Sequence, residues 1–188
     1  MKATKYVKID GKFKMHRGGE LESPTIAYET WGECKGDGEN AVLIFTGLSP
    51  SAHASSSAKD PTSGWWEDMI GSGLPLDTDK FFIICINSLG SCFGSTGPNS
   101  VDSLTGKRYK LSFPVLSLED VAKGGYEVTK ALGLKKINTT IGCSMGGMTA
   151  LSFCVQFPRI SERLISISSS ARALPFSIAI RSLQREMI

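Results

Sequence analysis

The sequence predicts a largely parallel α/β sheet with helices packed on both faces. Two runs, Ala41-Val42-Leu43-Ile44-Phe45-Thr46 and Phe81-Phe82-Ile83-Ile84-Cys85-Ile86, are continuously apolar, the pattern of strands covered on both sides. Helical spacing follows Ser117 and again Met148, so strands and helices alternate along the chain. Composition agrees: 41 % apolar and 21 % charged residues over 188 positions describe an ordinary globular domain with enough apolar material for a core.

The elements follow in order. Tyr6-Val7-Lys8-Ile9 reads as a strand, ended by the Asp10-Gly11 turn. Residues 24–31 alternate apolar and polar positions, as a half-buried strand does. These opening strands are expected at one antiparallel edge. Residues 47–78 form a long polar loop carrying the adjacent Trp65 and Trp66, and loops of that length in compact domains are usually functional. The tryptophans are read as packing beneath it, since aromatic burial is the largest apolar gain available. A second long loop spans 91–110. Ser117-Leu118-Glu119-Asp120 has the form of a capping box, and Gly133 ends the helix it opens. Residues 137–141 form a short strand, 148–157 a helix stopped by Pro158, 164–168 another strand and 177–188 a last helix.

Charge and cysteine content narrow the function classes. Twenty-one basic against eighteen acidic residues give +3, too little for affinity resting on phosphate neutralisation, so nucleic acid is not an expected partner. No apolar run reaches the ~20 residues of a membrane span, and no signal-like stretch follows Met1; the expected location is the cytoplasm, with no membrane partner. Five cysteines without a Cys-x-x-Cys pair, and only two histidines, argue against a metal site and for free, mostly buried thiols.

The chemistry concentrates at Gly142-Cys143-Ser144-Met145-Gly146, a G-x-S-x-G motif between a strand and a helix, which is the setting of a nucleophile elbow. So tight a turn strains the backbone at Ser144. Gly142 and Gly146 remove side chains that would collide, and Gly147 adds room. Ser144 Oγ then stands at a helix N-terminus, where free N–H groups favour a developing oxyanion. Met145 N–H is one expected donor, and Leu48 N–H, from the loop after the Ala41–Thr46 strand, is the second.

Further stretches carry a resemblance: residues 26–32 (Ile-Ala-Tyr-Glu-Thr-Trp-Gly), 64–71 (Gly-Trp-Trp-Glu-Asp-Met-Ile-Gly), 77–82 (Asp-Thr-Asp-Lys-Phe-Phe), 94–98 (Gly-Ser-Thr-Gly-Pro) and 144–148 (Ser-Met-Gly-Gly-Met). In this order they resemble the amino-acid O-acyltransferases of the α/β-hydrolase fold, the homoserine O-acetyltransferase and serine O-succinyltransferase type. The resemblance implies a role in methionine or cysteine biosynthesis and an acyl group passed from acyl-CoA, a co-substrate rather than a bound cofactor. It also implies an acyl-Ser144 intermediate, an acceptor hydroxyl of homoserine or serine, and a homodimer when full length. Two departures from the acetyl-transferring pattern bear on the donor. Leu48-Ser49-Pro50-Ser51-Ala52-His53 stands where acetyl enzymes tend to have Leu-Thr-Gly-Asp-Ala-His. Arg181 stands where they tend to have a neutral polar residue. A succinyl group ends in a carboxylate that a guanidinium can bind bidentately, so Arg181 is the expected succinyl-selecting residue and Ser49, Pro50, Ser51 and Ala52 the expected specificity loop.

In this fold the triad order is Ser, then an acid, then His. The residues after Ser144 include no histidine and no aspartate. Residues 1–188 are therefore expected to be the N-terminal part of a single α/β-hydrolase domain, ending before the lid and the last strands, and to show little transferase activity in isolation. His53 is expected to hold its loop. An esterase or thioesterase on the same fold, and a non-catalytic fragment, remain the alternatives.

Overall fold

The computed structural model describes residues 3–187. The chain opens with strands β1 (Lys5–Lys8), β2 (Lys12–Lys14), β3 (Glu20–Glu22) and β4 (Thr25–Trp31). Strand β5 (Ala41–Phe45) precedes a long irregular segment that holds the two-residue strands β6 (Ile70–Gly71) and β7 (Leu76–Asp77). Strand β8 (Phe82–Ile86), helix α1 (Leu118–Ala131), strand β9 (Ile137–Cys143), helix α2 (Met145–Gln156), strand β10 (Ser161–Ile167) and helix α3 (Pro175–Glu186) complete the order.

The main sheet runs β1-β4-β8-β5-β9-β10. Strands β8, β5, β9 and β10 are parallel, while β1 and β4 pair antiparallel at one edge, as the opening pattern predicts. The register places Phe45 beside Ile86 and Gly142, so three strands end together below the loops that carry the site.

Alternate residues of the apolar strands feed two cores. Leu43, Phe45, Ile84 and Ile86 point toward α1, α2 and the β2–β3 hairpin, with Ala122, Val128, Ala150 and Phe153 from the helices and Phe13 and Leu21 from the hairpin. Val42, Ile44, Ile83 and Cys85 point the other way, toward Trp31, Ala52, Ala54, Trp65 and Trp66. Fully burying a side chain such as Phe45 or Phe153 gains roughly 1.5–3 kcal/mol. The expected helices on both faces are thus replaced among the described residues: α1 and α2 share one face, and an irregular segment carrying Trp65 and Trp66 covers the other. Period counting finds helices but cannot see that a loop fills the same space.

Capping fixes α1 at the end that points to the site. Asp120 Oδ2 accepts the Ser117 backbone N–H at 2.9 Å, closing the predicted capping box, and Oδ1 accepts the His16 backbone N–H at 2.7 Å. At the other end Gly133 has φ +73°, the left-handed stop expected of it. Several boundaries move: β9 runs two residues beyond the predicted strand, α2 begins at Met145, and α3 begins at Pro175, a favoured first position. Ile188 lies outside the described residues. The cysteines are all free. The expectation that they are mostly buried fails, because Cys34 and Cys92 are exposed, Cys143 and Cys154 half-buried and only Cys85 buried; Cys34 and Cys92 lie in loops, where no core is at hand.

Candidate active site

The site is built at the ends of β9 and β5. Ser144 follows β9 and has φ +56° and ψ −121°, a left-handed conformation that costs a non-glycine residue of order 1–3 kcal/mol. Packing on every side holds it there. A Cβ at Gly142 would run into the Gly146 carbonyl, and a Cβ at Gly146 would run into the Phe45 and Thr46 carbonyl oxygens. The two glycines therefore let α2 close onto β9 and onto the end of β5. The Ser144 N–H donates to Ile167 O at 2.9 Å, and Ser144 O accepts from Gly147 at 3.0 Å and Met148 at 3.2 Å. The Met145 amide, at the first helical position, has no acceptor within the helix. Burial pushes the pKa of the neighbouring Cys143 thiol up.

Ser144, Met145, Ser169, Ser177 and Arg181 line one cavity of about 280 Å³. Arg181 comes from α3, and among the described residues it has no ion-pair partner. Arg181 and Ser177 also border an adjoining hollow of about 330 Å³, whose far wall is Leu48. Leu48 is 67 % exposed on the crest of the loop leaving β5. The structure thus places Ser144, Met145 and Arg181 together, with Leu48 next door. Ser49 is exposed, and Pro50 and Ser51 half-buried. Ser51 O accepts the Trp65 indole N–H at 2.8 Å. Ala52 is fully buried, and its N–H donates to Asn87 Oδ1 at 2.6 Å. That end of the expected specificity loop is a foot embedded in the core.

A larger hollow of about 490 Å³ flanks Met145 and Met148 on the α1 side and carries Arg17 and Arg172. Another hollow, about 690 Å³, lies near the entry to β10, lined by Tyr126, Leu134, Phe157 and Ile160, away from the elbow.

Neither histidine lines a cavity with Ser144. The His16 ring lies 3.9 Å from Glu119. His53 Nδ1 meets Glu29 Oε2 at 2.9 Å and Nε2 meets Thr62 O at 2.9 Å, so this ring holds its loop, as expected. Among the described residues no group of three or more His, Cys, Asp or Glu side chains could hold a metal ion.

Two loop-holding carboxylates escape a reading of the sequence. Glu29 occupies a polar position of an alternating strand, which predicts exposure, yet it is 1 % exposed because loop and sheet cover it together. Glu67 accepts the backbone N–H groups of Ser56 at 2.8 Å and Gly64 at 2.7 Å, and the Ser56 hydroxyl. Those bonds, led by the Ser56 hydroxyl, pull its pKa down to about 2. The available signal was His53 itself, a histidine that needs a partner on whatever strand its loop crosses.

Comparison with known proteins places this geometry. Serine O-succinyltransferase from Litchfieldella anticariensis is 55 % identical over 99 % of this chain and 51 % of its own length. The protein of that name from Xanthomonas campestris pv. campestris (strain B100) is 56 % identical over 98 % of this chain and 49 % of its own. The chain therefore spans about half the length of the relatives it matches. Among solved structures, homoserine O-acetyltransferase from Bacillus anthracis superposes with a TM-score of 0.83 at 30 % identity, covering 94 % of this chain and 49 % of that one. Esterase E22 superposes with a TM-score of 0.87 at 28 % identity, covering 96 % of this chain and 51 % of that one. A family model described as the alpha/beta hydrolase fold matches residues 40–184. With the strained serine at the elbow, the parallel sheet beneath it and this match over most of its length, the chain belongs to the alpha/beta hydrolase fold family.

Proposed function

We propose that Ser144 is the nucleophile of an acyl-CoA-dependent O-acyltransferase whose acceptor is the hydroxyl of serine or homoserine and whose preferred donor is succinyl-CoA. The observation that carries this reading is the shared cavity of Ser144 and Arg181. A guanidinium without an ion-pair partner, set in the nucleophile's own cavity, suits an acyl group that ends in a carboxylate. Ser144 Oγ attacks the thioester carbonyl, the carbon–sulfur bond breaks, and the thiol leaves with a proton. The acceptor hydroxyl then attacks the acyl-serine carbonyl, the bond between Ser144 Oγ and the acyl carbon breaks, and the acceptor's hydroxyl proton passes to Ser144 Oγ. Met145 N–H and Leu48 N–H are the proposed donors to the oxyanion. Both steps need a base, and none is present among the described residues around Ser144. In this reading residues 1–188 contribute the N-terminal part of a single catalytic domain, and the full-length enzyme works as a cytoplasmic homodimer. No helix among the described residues is long and apolar enough to cross a membrane.

The esterase neighbour supports a second reading, hydrolysis of an acyl-Ser144 ester by water. One experiment separates the two. This chain is joined to the C-terminal half of the Xanthomonas relative and given succinyl-CoA with serine or homoserine, and the products are resolved by mass. O-succinyl amino acid as the main product supports transfer, and free succinate with no acylated amino acid contradicts it.

A further inference from the structure

The loop opposite Ser144 has a free crest and two fixed feet. At the near foot, Thr46 Oγ1 donates to Ile86 O at 3.3 Å, and a Cβ on Gly47 would lie 3.6 Å from Cys143 O, so this end touches the elbow. At the far foot, the Ala52 amide is held by Asn87, and the adjacent His53 ring spans from Glu29 on β4 to Thr62. Only Leu48 and Ser49, between the feet, are exposed.

The hydrogen bonds dictate the charge state of the far foot. Thr62 O is an acceptor, so Nε2 must carry a proton. Glu29 Oε2 is also an acceptor when ionised, so Nδ1 must carry one as well. The Thr62 hydroxyl, 3.1 Å from Nε2, donates to Asp60 Oδ1 at 2.7 Å, so with Glu29 ionised both bonds exist together only for the imidazolium. Glu29 Oε1 already takes the Thr4 hydroxyl at 2.9 Å. The groups facing the pair are Asp60, from the loop of Thr62, and Cys85, which Glu29 opposes across the β4–β8 register. Losing one proton breaks one of the two His53 bonds and leaves a buried carboxylate facing a neutral ring.

We infer that Glu29 and His53 are positioning residues for the reaction at Ser144: protonated His53 clamps the far foot and so fixes Leu48, at the crest, opposite the elbow. The inference rests on the reading of Leu48 N–H as an oxyanion donor. Burial works against the imidazolium, but the hydrogen bonds to Glu29 and Thr62 and the charges of Glu29 and Asp60 outweigh it, and the ring titrates above its usual range. The clamp is therefore complete below the unfolded pKa of ~6.5 and is lost as pH rises through the higher folded value.

The test is hydrogen exchange of the Leu48, Ser49, Ser51 and Ala52 amides in the 188-residue chain, corrected for intrinsic rates, beside imidazole titration of His53. Protection should fall about tenfold or more across the His53 midpoint. Glu29→Gln should lower the midpoint and the protection step together. His53→Gln, which cannot titrate, should abolish the step, and its readout serves if the Glu29 variant does not fold. His16→Gln should change neither. Protection that ignores the ionisation of His53, or a Glu29→Gln midpoint shift without a shift of the step, overturns the inference. Because turnover is not used, that failure is distinct from failure of the acyltransferase reading, which shows in the product assay alone.

Discussion

Between Thr46 and Glu67 the chain has no regular element yet is tied down at almost every turn, whereas between Ser161 and Glu186 it is mostly strand and helix yet leaves its apolar side chains in solvent. The first segment replaces a backbone ladder with side chains. Asn87, Glu29 and Glu67 accept from its amides and its imidazole, and it supplies the carbonyls that take the Trp31 and Trp65 indoles at 3.0 and 2.8 Å. The second satisfies its backbone locally, with β10 paired only to β9. Leu164, Ile165 and Ile167 on β10, and Phe176, Ile178, Ile180 and Leu183 on α3, are all exposed. Ser144 sits between a finished wall and an open one. Within these residues, which span about half the length of the relatives they match, the irregular chain is the better buried.

That contrast can be attacked at its joint, the elbow. Gly142→Ala should abolish cooperative thermal unfolding or lower Tm by more than any other single change described here, because its Cβ meets α2 backbone that cannot yield. Gly11→Ala is the control: Gly11 has a positive φ of +72°, which Gly142 does not, but its Cβ meets nothing within 4 Å, so the change should cost only about 1–2 kcal/mol.

Within the finished wall, Asn87→Ala should be the costly substitution. It strands the buried Ala52 N–H, and also the Phe93 carbonyl that Asn87 Nδ2 reaches at 2.7 Å. Each unsatisfied group costs about 1–3 kcal/mol, read as a lower denaturant midpoint with an unchanged slope. Glu67 gives the same wall an acid signature. Its carboxyl falls from 4.5 unfolded to about 2 folded, so its contribution is complete above pH 4.5 and is lost as pH drops toward 2. The Tm of the Glu67→Gln variant should fall less steeply over that window than that of the parent chain.

On the open wall, Ile165→Lys and Ile178→Lys should change stability by no more than about 0.5 kcal/mol, since neither side chain is buried. They should nevertheless reduce ANS fluorescence and self-association, because the two residues belong to an exposed apolar surface. A stability loss of several kcal/mol would show that these residues are packed in solution and would erase the contrast between the walls.

What could be read beforehand follows from the same physics. Strands β5 and β8 were legible because both faces are covered, which leaves a continuous apolar run. The elbow was legible because only Gly-x-Ser-x-Gly between a strand and a helix allows so close an approach. The irregular wall was not, since nothing in residues 47–67 says which side chains elsewhere will answer its amides. Alternation in β4 marked Glu29 as solvent-facing because periodicity describes one strand and not what lies across it. Arg181 was singled out by its departure from a family pattern; its place beside Ser144 depends on how the stretch after β10 turns back, which no local signal specifies.

Donor choice is the most direct test of the reading built on that placement. Initial rates with succinyl-CoA and acetyl-CoA are compared for the enzyme completed with a relative's C-terminal half and for its Arg181→Ala form. If Arg181 holds the succinyl carboxylate, the succinyl-to-acetyl ratio of kcat/KM falls about 30-fold, the loss of a charge-assisted bond of about 2 kcal/mol, while acetyl turnover stays near the parent value. An unchanged ratio would contradict the assignment.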